Sequence, residues 1–329
     1  MKILIIGAAG MLGAKLARRL AADGALGGRE IERLALVDVV EPTVPEGWNG
    51  RAEARVADLS EPGVAERLVE DRPDVVYHLA AIVSGEAETD LDKGYRINLD
   101  GTRHLLDAIR PAHEADGSYR PRVVYSSSIA VFGAPFPERI DDDFQQAPLT
   151  SYGAQKAMGE LLLTDYTRRG FLDGVGLRLP TICVRPGRPN LAASGFFSNI
   201  VREPVHGKEA VLPVDEDVRH WFASPRAAVG FLVHAATLEG ERIGPRRNLN
   251  LPGLSATVAE QIESLGRVVG EEATALIRRE PDPAIAAIVS NWPRDFDPAR
   301  ASALGFVAER SFDEIVRVYL EDDADGYGG

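Results

Sequence analysis

The chain predicts an α/β fold: a doubly wound parallel sheet with a smaller C-terminal part. Two patterns lead there. Over the first 180 residues, short apolar runs of strand length alternate with amphipathic runs of helix length. After that point Pro and Gly become frequent, in "VRPGRPN", "REPVHGK", "LNLPGLS" and "REPDPA", which read as loops around shorter elements.

In order along the chain, "KILIIG" is a buried-strand run and "MLGAKLARRLAADG" carries apolar residues at helical spacing. The runs "RLALVDV", "DVVYHLAA" and "RVVYSSS" are further strands, and "YRINLDGTRHLLDAIRPAHEA" between the last two is long and amphipathic. Buried strands separated by helices make βαβ units, and the right-handed crossover rule puts helices on both faces of the sheet. We assign residues 1–180 to this domain and 181–329 to the smaller part, which lends segments to a shared pocket. Its helices are expected in "TVAEQIESLGRVVG" and "SFDEIVRVYLEDDA", and the tail "DDADGYGG" is expected to fray.

The 329 residues are 45% hydrophobic and 26% charged, ordinary globular composition, with a formal charge of −13. That charge disfavours nucleic acid as a partner, since no useful basic patch offsets it. No apolar run reaches the roughly 18 residues that would span a bilayer. The N-terminus opens directly on a strand without an export signal, so the expectation is a soluble cytoplasmic protein with no membrane partner. Cys183, the sole cysteine, excludes an internal disulfide and reads as a small buried hydrophobe. No histidine pair has metal-ligand spacing, so no metal is expected, and His78 reads as a packed strand residue.

The strand-to-helix turn "GAAGMLG" places Gly7, Gly10 and Gly13 in the spacing G-x-x-G-x-x-G. Gly7 permits the tight turn. Gly10 lets a pyrophosphate approach the N-terminus of a helix, with Met11 and Leu12 in its first turn, and Gly13 allows close helix–sheet packing. The fold is therefore expected to be Rossmann-like, with a dinucleotide across the carboxyl ends of the strands. Asp38 ends the second strand; a carboxylate there holds a ribose 2′-hydroxyl and repels a 2′-phosphate, which predicts NAD rather than NADP. Asp58 and Leu59, in "VADLS", follow another strand run; Asp58 either touches the adenine or caps the helix of "EPGVAERLVE".

In "YGAQK", Tyr152 and Lys156 stand one helical turn apart. In isolation such a pair is a solvated helix face. In this chain it is preceded, in order, by "GAAGMLG", "VDV", "ADL", "HLAA", "INLDGT" and "YSSSIAVFG". That series, over roughly residues 1–160, resembles the extended short-chain dehydrogenase/reductase family. The resemblance implies a Ser–Tyr–Lys set for hydride-transfer chemistry, here Ser128, Tyr152 and Lys156. Unperturbed tyrosine titrates near about 10, and a nearby ammonium is expected to bring it down. The resemblance also places Ala80, Ala81, Asn98 and Pro180 with Tyr152 and Lys156 around the cofactor, Asn98 in a structural or cofactor-adjacent role, and implies a homodimer through the helices of "NLDGTRHLLDAIRPAHEA" and "SYGAQKAMGELLLTDYTRR".

Sugar-nucleotide epimerases of this family usually carry an asparagine where Thr181 stands here. The run "RLPTICVRPGRPNLAASGFFSNIVREP" instead resembles the subgroup that oxidises D-erythronate, a four-carbon sugar acid, at C2. A small carboxylate needs a cationic clamp. Arg219 is the preferred candidate and Arg185 the second. Ser84, Ser127, Ser128, Tyr152 and Ser194 complete the expected substrate side, with Phe196 as a candidate cover. The competing expectations are a nucleotide-sugar epimerase or reductase and a non-catalytic dinucleotide sensor.

Overall fold

The computed structural model describes residues 1–187 and 194–326. Its first half runs β1 (Lys2–Ile6), α1 (Met11–Asp23), β2 (Arg33–Asp38), β3 (Arg51–Val56), α2 (Val64–Val69), β4 (Val75–His78), α3 (Ser84–Thr89), α4 (Gly101–Ala115), β5 (Arg122–Ser128), α5 (Ser151–Arg168) and β6 (Asp173–Leu179). Beyond it come β7 (Thr181–Ile182), α6 (Gly195–Val205), β8 (Arg219–Ala223), α7 (Pro225–Thr237), β9 (Asn248–Asn250), β10 (Leu254–Thr257), α8 (Val258–Val268) and α9 (Phe312–Asp322), with shorter pieces between them.

The large sheet is parallel throughout, in the order β3-β2-β1-β4-β5-β6-β9. Alternation along β1 shows why it is wound on both sides. Ile3 and Ile5 point into one core with Leu16 and Leu20 of α1 and Leu232 of α7. Leu4 and Ile6 point into the opposite core with Leu105 and Ile109 of α4 and Leu163 of α5. Strand order reverses at β1 and β4, so the connections after these two strands diverge and leave a crevice at their carboxyl ends. The seventh strand, β9, comes from the C-terminal part, which also builds its own core around Phe197, Phe222, Leu265 and Ile315.

Three local expectations change. Residues 95–100 form a wide π-helical turn ahead of α4 rather than one continuous α-helix. Helix α2 starts at Val64 behind Gly63, so Asp58 does not cap it; Asp58 instead closes the preceding turn by accepting from the Ser60 N–H at 2.9 Å and the Ser60 hydroxyl at 2.6 Å. The tail is tied at its start, where Asp323 is buried against Lys15 of α1 in an ion pair of 2.5 Å; residues 327–329 lie outside the described residues.

The turn after β1 separates glycines needed for folding from one left open for a ligand. Gly7 has φ +92°, and a Cβ there would stand 2.6 Å from the Ala80 nitrogen. A Cβ on Gly10 would meet nothing closer than 3.4 Å. Gly7→Ala is therefore expected to cost about 2–4 kcal/mol in denaturant unfolding of the ligand-free protein. Gly10→Ala should leave that stability within about 1 kcal/mol while weakening NAD binding in a calorimetric titration.

Candidate active site

The crevice at the strand ends is lined first by the start of α1. Its N-cap residue, Gly10, is extended and no side chain caps the helix. The first N–H groups of a helix have no partner within it, so these amides and the helix dipole face the crevice as an anion site. No acidic residue stands in the first turn to oppose a phosphate. Met11 and Leu12 are partly buried against the core. Asp38 accepts from the Ala9 N–H at 2.9 Å and from the Val39 N–H at 2.7 Å, which fixes its carboxylate beside the glycine turn with lone pairs to spare for a ribose. These features fit NAD.

Asp58 is also held by Arg96 at 3.1 Å; burial works to raise its pKa, but the Ser60 and Arg96 hydrogen bonds outweigh it and the group ends below its ordinary value. Leu59 is buried in the core on that side, and Ala80 packs on the same core from the loop after β4. That loop continues through half-buried Ala81 to Ile82, where Asn98 fastens it. Asn98 accepts from the Ile82 N–H at 2.9 Å and donates to Gln155 of α5 at 2.7 Å. It is 1% exposed, so it stitches the loop to α5 rather than facing a ligand. Pro180 is buried between β6 and β7, and Ser84 is half-buried at the first residue of α3.

Strand alternation at the end of β5 sorts its three serines. Ser126 donates from its hydroxyl to the His78 carbonyl at 3.2 Å. Ser127 donates to Glu160 and is 2% exposed, so it is spent inside the protein and does not line the substrate side as expected. Ser128 accepts from the Ala130 N–H at 3.1 Å, and its hydroxyl stands near enough to the Tyr152 phenol to favour the phenolate. Helix α5 reaches that position because Thr150 caps it, accepting the Gly153 N–H at 3.1 Å, and because Gly153 lies directly on the Ala130 carbonyl where a Cβ would not fit.

Lys156 lies one turn further in, 2% exposed, and donates to the Ser126 carbonyl at 2.7 Å. Its Nζ stands 5.7 Å from the Tyr152 ring centre and 4.9 Å from that of Tyr125. Burial pulls the ammonium down to about 7, with Glu160 opposing the shift. The electrostatics differ in one respect from the sequence expectation. In the ligand-free site burial raises the Tyr152 pKa, and the opposing influences are Ser128 and Arg185.

The Arg185 charge thus acts on Tyr152. Its Nε donates to the Ile182 carbonyl at 3.0 Å and its Nη2 to Ser194 Oγ at 2.7 Å. Burial lowers its pKa, since the charged form is partly withdrawn from water. Arg219 is directed elsewhere: its Nη1 donates to the Ser255 carbonyl at 3.2 Å and pairs with Glu260 at 3.4 Å, with the side chain 39% exposed. The inward residue of that strand is His220, whose Nε2 meets Thr181 Oγ1 at 2.6 Å and whose ring stacks on Phe197 at 5.3 Å between centres. Phe196 and Phe197 pack in the second core.

Sequence reasoning overlooked His220 and Glu160. Alternation in "VRHWFA" carried the signal for His220, because consecutive strand residues face opposite ways. For Glu160 the signal was its spacing from Lys156, again four residues on one helix face. Among the described residues no group of His, Cys, Asp and Glu can hold a metal ion, and no helix is long and apolar enough to cross a membrane.

A glycine turn with Asp38, and Tyr152 with Lys156 and Ser128, meet across one crevice of a doubly wound sheet. Residues 3–241 match the model of the NAD dependent epimerase/dehydratase family. The chain belongs to this family, and its cofactor is NAD. Among its relatives, a D-erythronate dehydrogenase from Cupriavidus necator is 48% identical over 98% of both chains. A D-erythronate dehydrogenase from Haemophilus influenzae is 41% identical over 98% of this chain and 100% of its own. A solved structure described as the nucleoside-diphosphate-sugar epimerase from Agrobacterium tumefaciens is 64% identical, with a TM-score of 0.97 over 99% of this chain and 95% of that one.

His78 gives the site a measurable pH signature. Its Nε2 meets Thr102 Oγ1 at 2.8 Å, and that hydroxyl donates onward to the Asn98 carbonyl, so the ring N–H lies on Nε2. Burial, with the Lys156 charge adding to it, lowers the His78 pKa to about 3. Between about 3 and the ordinary 6.5 the unfolded chain binds the proton and the folded one does not, so stability falls as pH drops through that window. His78→Gln is expected to flatten this part of the stability–pH curve measured by urea unfolding.

Proposed function

We propose that this protein oxidises D-erythronate at C2 to 2-oxo-erythronate with NAD. The feature that supports the reading is that Arg185, half-buried and held by Ile182 and Ser194, stands near enough to Tyr152 for its charge to favour the phenolate. In a 2-hydroxy acid the carboxylate is bonded to the reacting carbon, so its clamp must lie beside the base. Arg185 meets that requirement; Arg219, turned toward Ser255 and Glu260, does not. A planar guanidinium matches a carboxylate. The names of the Cupriavidus and Haemophilus relatives support the substrate.

Tyr152 accepts the proton of the C2 hydroxyl, and Ser128 hydrogen-bonds the same oxygen as it becomes a carbonyl. Lys156, charged, favours the phenolate. Arg185 orients the acid and its charge favours the phenolate too. NAD, when bound, accepts the hydride that C2 releases. Residues 1–180 serve the cofactor in this reading, and 181–329 the substrate. The epimerase reading draws on the Agrobacterium structure, described as a nucleoside-diphosphate-sugar epimerase. Against it, the Thr181 hydroxyl is engaged by buried His220 rather than replaced by a nucleotide-holding asparagine. The sensor reading is disfavoured by the presence of both Tyr152 and Lys156, with Lys156 buried and fixed on the Ser126 carbonyl. We further propose a cytoplasmic homodimer through α4 and α5, where Leu161 is 65% exposed on α5.

Tyr152→Phe is expected to lower turnover of D-erythronate at least about 100-fold. Arg185→Ala should raise the KM for the acid about 10-fold or more with NAD binding kept, whereas Arg219→Ala should change it little. Steady-state kinetics with each substrate varied checks all three, and near-normal turnover by Tyr152→Phe contradicts the scheme.

A further inference from the structure

Beneath the Tyr152–Lys156 pair lies a charged group that the chemistry above does not use. Glu160 is the next residue on the same face of α5 and is 0% exposed. Arg178 of β6 grips its carboxylate from two directions, with Nη2 donating to Oε2 at 2.8 Å and Nε donating to Oε1 at 3.0 Å. Ser127 and Gln146 donate to the same carboxylate. Arg178 is itself anchored by Asn250 of β9 at 3.1 Å and lies 5.0 Å over the Phe132 ring. One buried carboxylate thus joins α5 to β5, to β6 and, through Arg178, to the last strand of the sheet.

A buried ion pair is weak evidence for stability, because desolvating both charges offsets most of their attraction. Its position suggests another use. Lys156 is faced by Tyr152 and Glu160 from its own helix, by the Tyr125 ring and the Ser126 carbonyl from β5, and by His78, held neutral by burial, from β4. Glu160 is the one carboxylate among these groups, and it favours the charged lysine against burial. Resting on the reading of Tyr152 and Lys156 as the acid–base pair, we propose that Glu160, fixed by Arg178, is a positioning residue that keeps Lys156 protonated while Tyr152 works.

The test compares Glu160→Gln, Glu160→Asp and the double variant Glu160→Gln/Arg178→Met, which leaves no unpaired buried charge. A unit charge about 6 Å away, at the effective dielectric of about 20 that suits buried sites, is worth about two pK units, and the opposite charge of Arg178 on Glu160 offsets part of it, which leaves on the order of one. Activity needs the ammonium, so it is lost as pH rises through the Lys156 pKa. Glu160→Gln should move the alkaline limb of kcat/KM for D-erythronate down by about one pH unit, and Glu160→Asp, which keeps the charge, should leave it near the parent value. The Lys156 signal in a ¹³C-lysine NMR titration, assigned by its loss in Lys156→Arg, should fall in step. If Glu160→Gln does not fold, the double variant, which also removes the opposing Arg178 charge, is expected to show a smaller shift in the same downward direction. An unmoved limb and an unmoved Lys156 titration overturn the proposal, as does failure of the double variant to fold, which would make the pair structural support alone. If the parent protein oxidises no sugar acid, the substrate reading fails, and the NMR titration alone decides the role of Glu160.

Discussion

The arrangement depends on the burial of one amine. Lys156 is withdrawn from water at 2% exposure, and its direct hydrogen bond is to the Ser126 carbonyl. A lysine so placed is costly unless the surroundings are built for it. The rest of the site can be read as that building: Ser126 ends up facing the amine because β5 is parallel between β4 and β6, and α5 lies flat on β5 because Gly153 and Gly159 present no side chains to Ala130 and Tyr125. The same contact brings the start of α5, with Tyr152, to the end of β5, where Ser128 lies.

Two electrostatic environments meet at Tyr152. On one side stands the Ser128–Tyr152–Lys156 group, half-buried at Ser128 and Tyr152 and buried at Lys156, with Glu160 the next residue on that face of α5. On the other, Arg185 enters from a segment that belongs to the C-terminal part and is held by Ile182 and Ser194.

The parallel sheet was legible because β1, β4 and β5 are near-continuous apolar runs, and the phosphate turn was legible because three glycines follow the first of them. The π-helical turn at residues 95–100 was not: its cause is the Asn98 amide reaching Ile82 and Gln155, contacts of 16 and 57 residues' separation. The choice between Arg185 and Arg219 was equally hidden. Both are arginines next to strands, and what separates them is the direction each guanidinium takes, which depends on Glu260 and Ser255 in one case and Ser194 in the other. Ser127 and Ser128 are adjacent and identical in type; only the pleat of β5 against α5 assigns one to Glu160 and the other to Tyr152.

The most direct test of this account is NADH formation, followed by its absorbance, from NAD with D-erythronate, L-threonate, D-glycerate and UDP-glucose in parallel. The account predicts turnover with D-erythronate well above that with the other three. Silence across the acids, with UDP-glucose converted to its C4 epimer, would contradict it and assign the Tyr152 site to sugar-nucleotide chemistry.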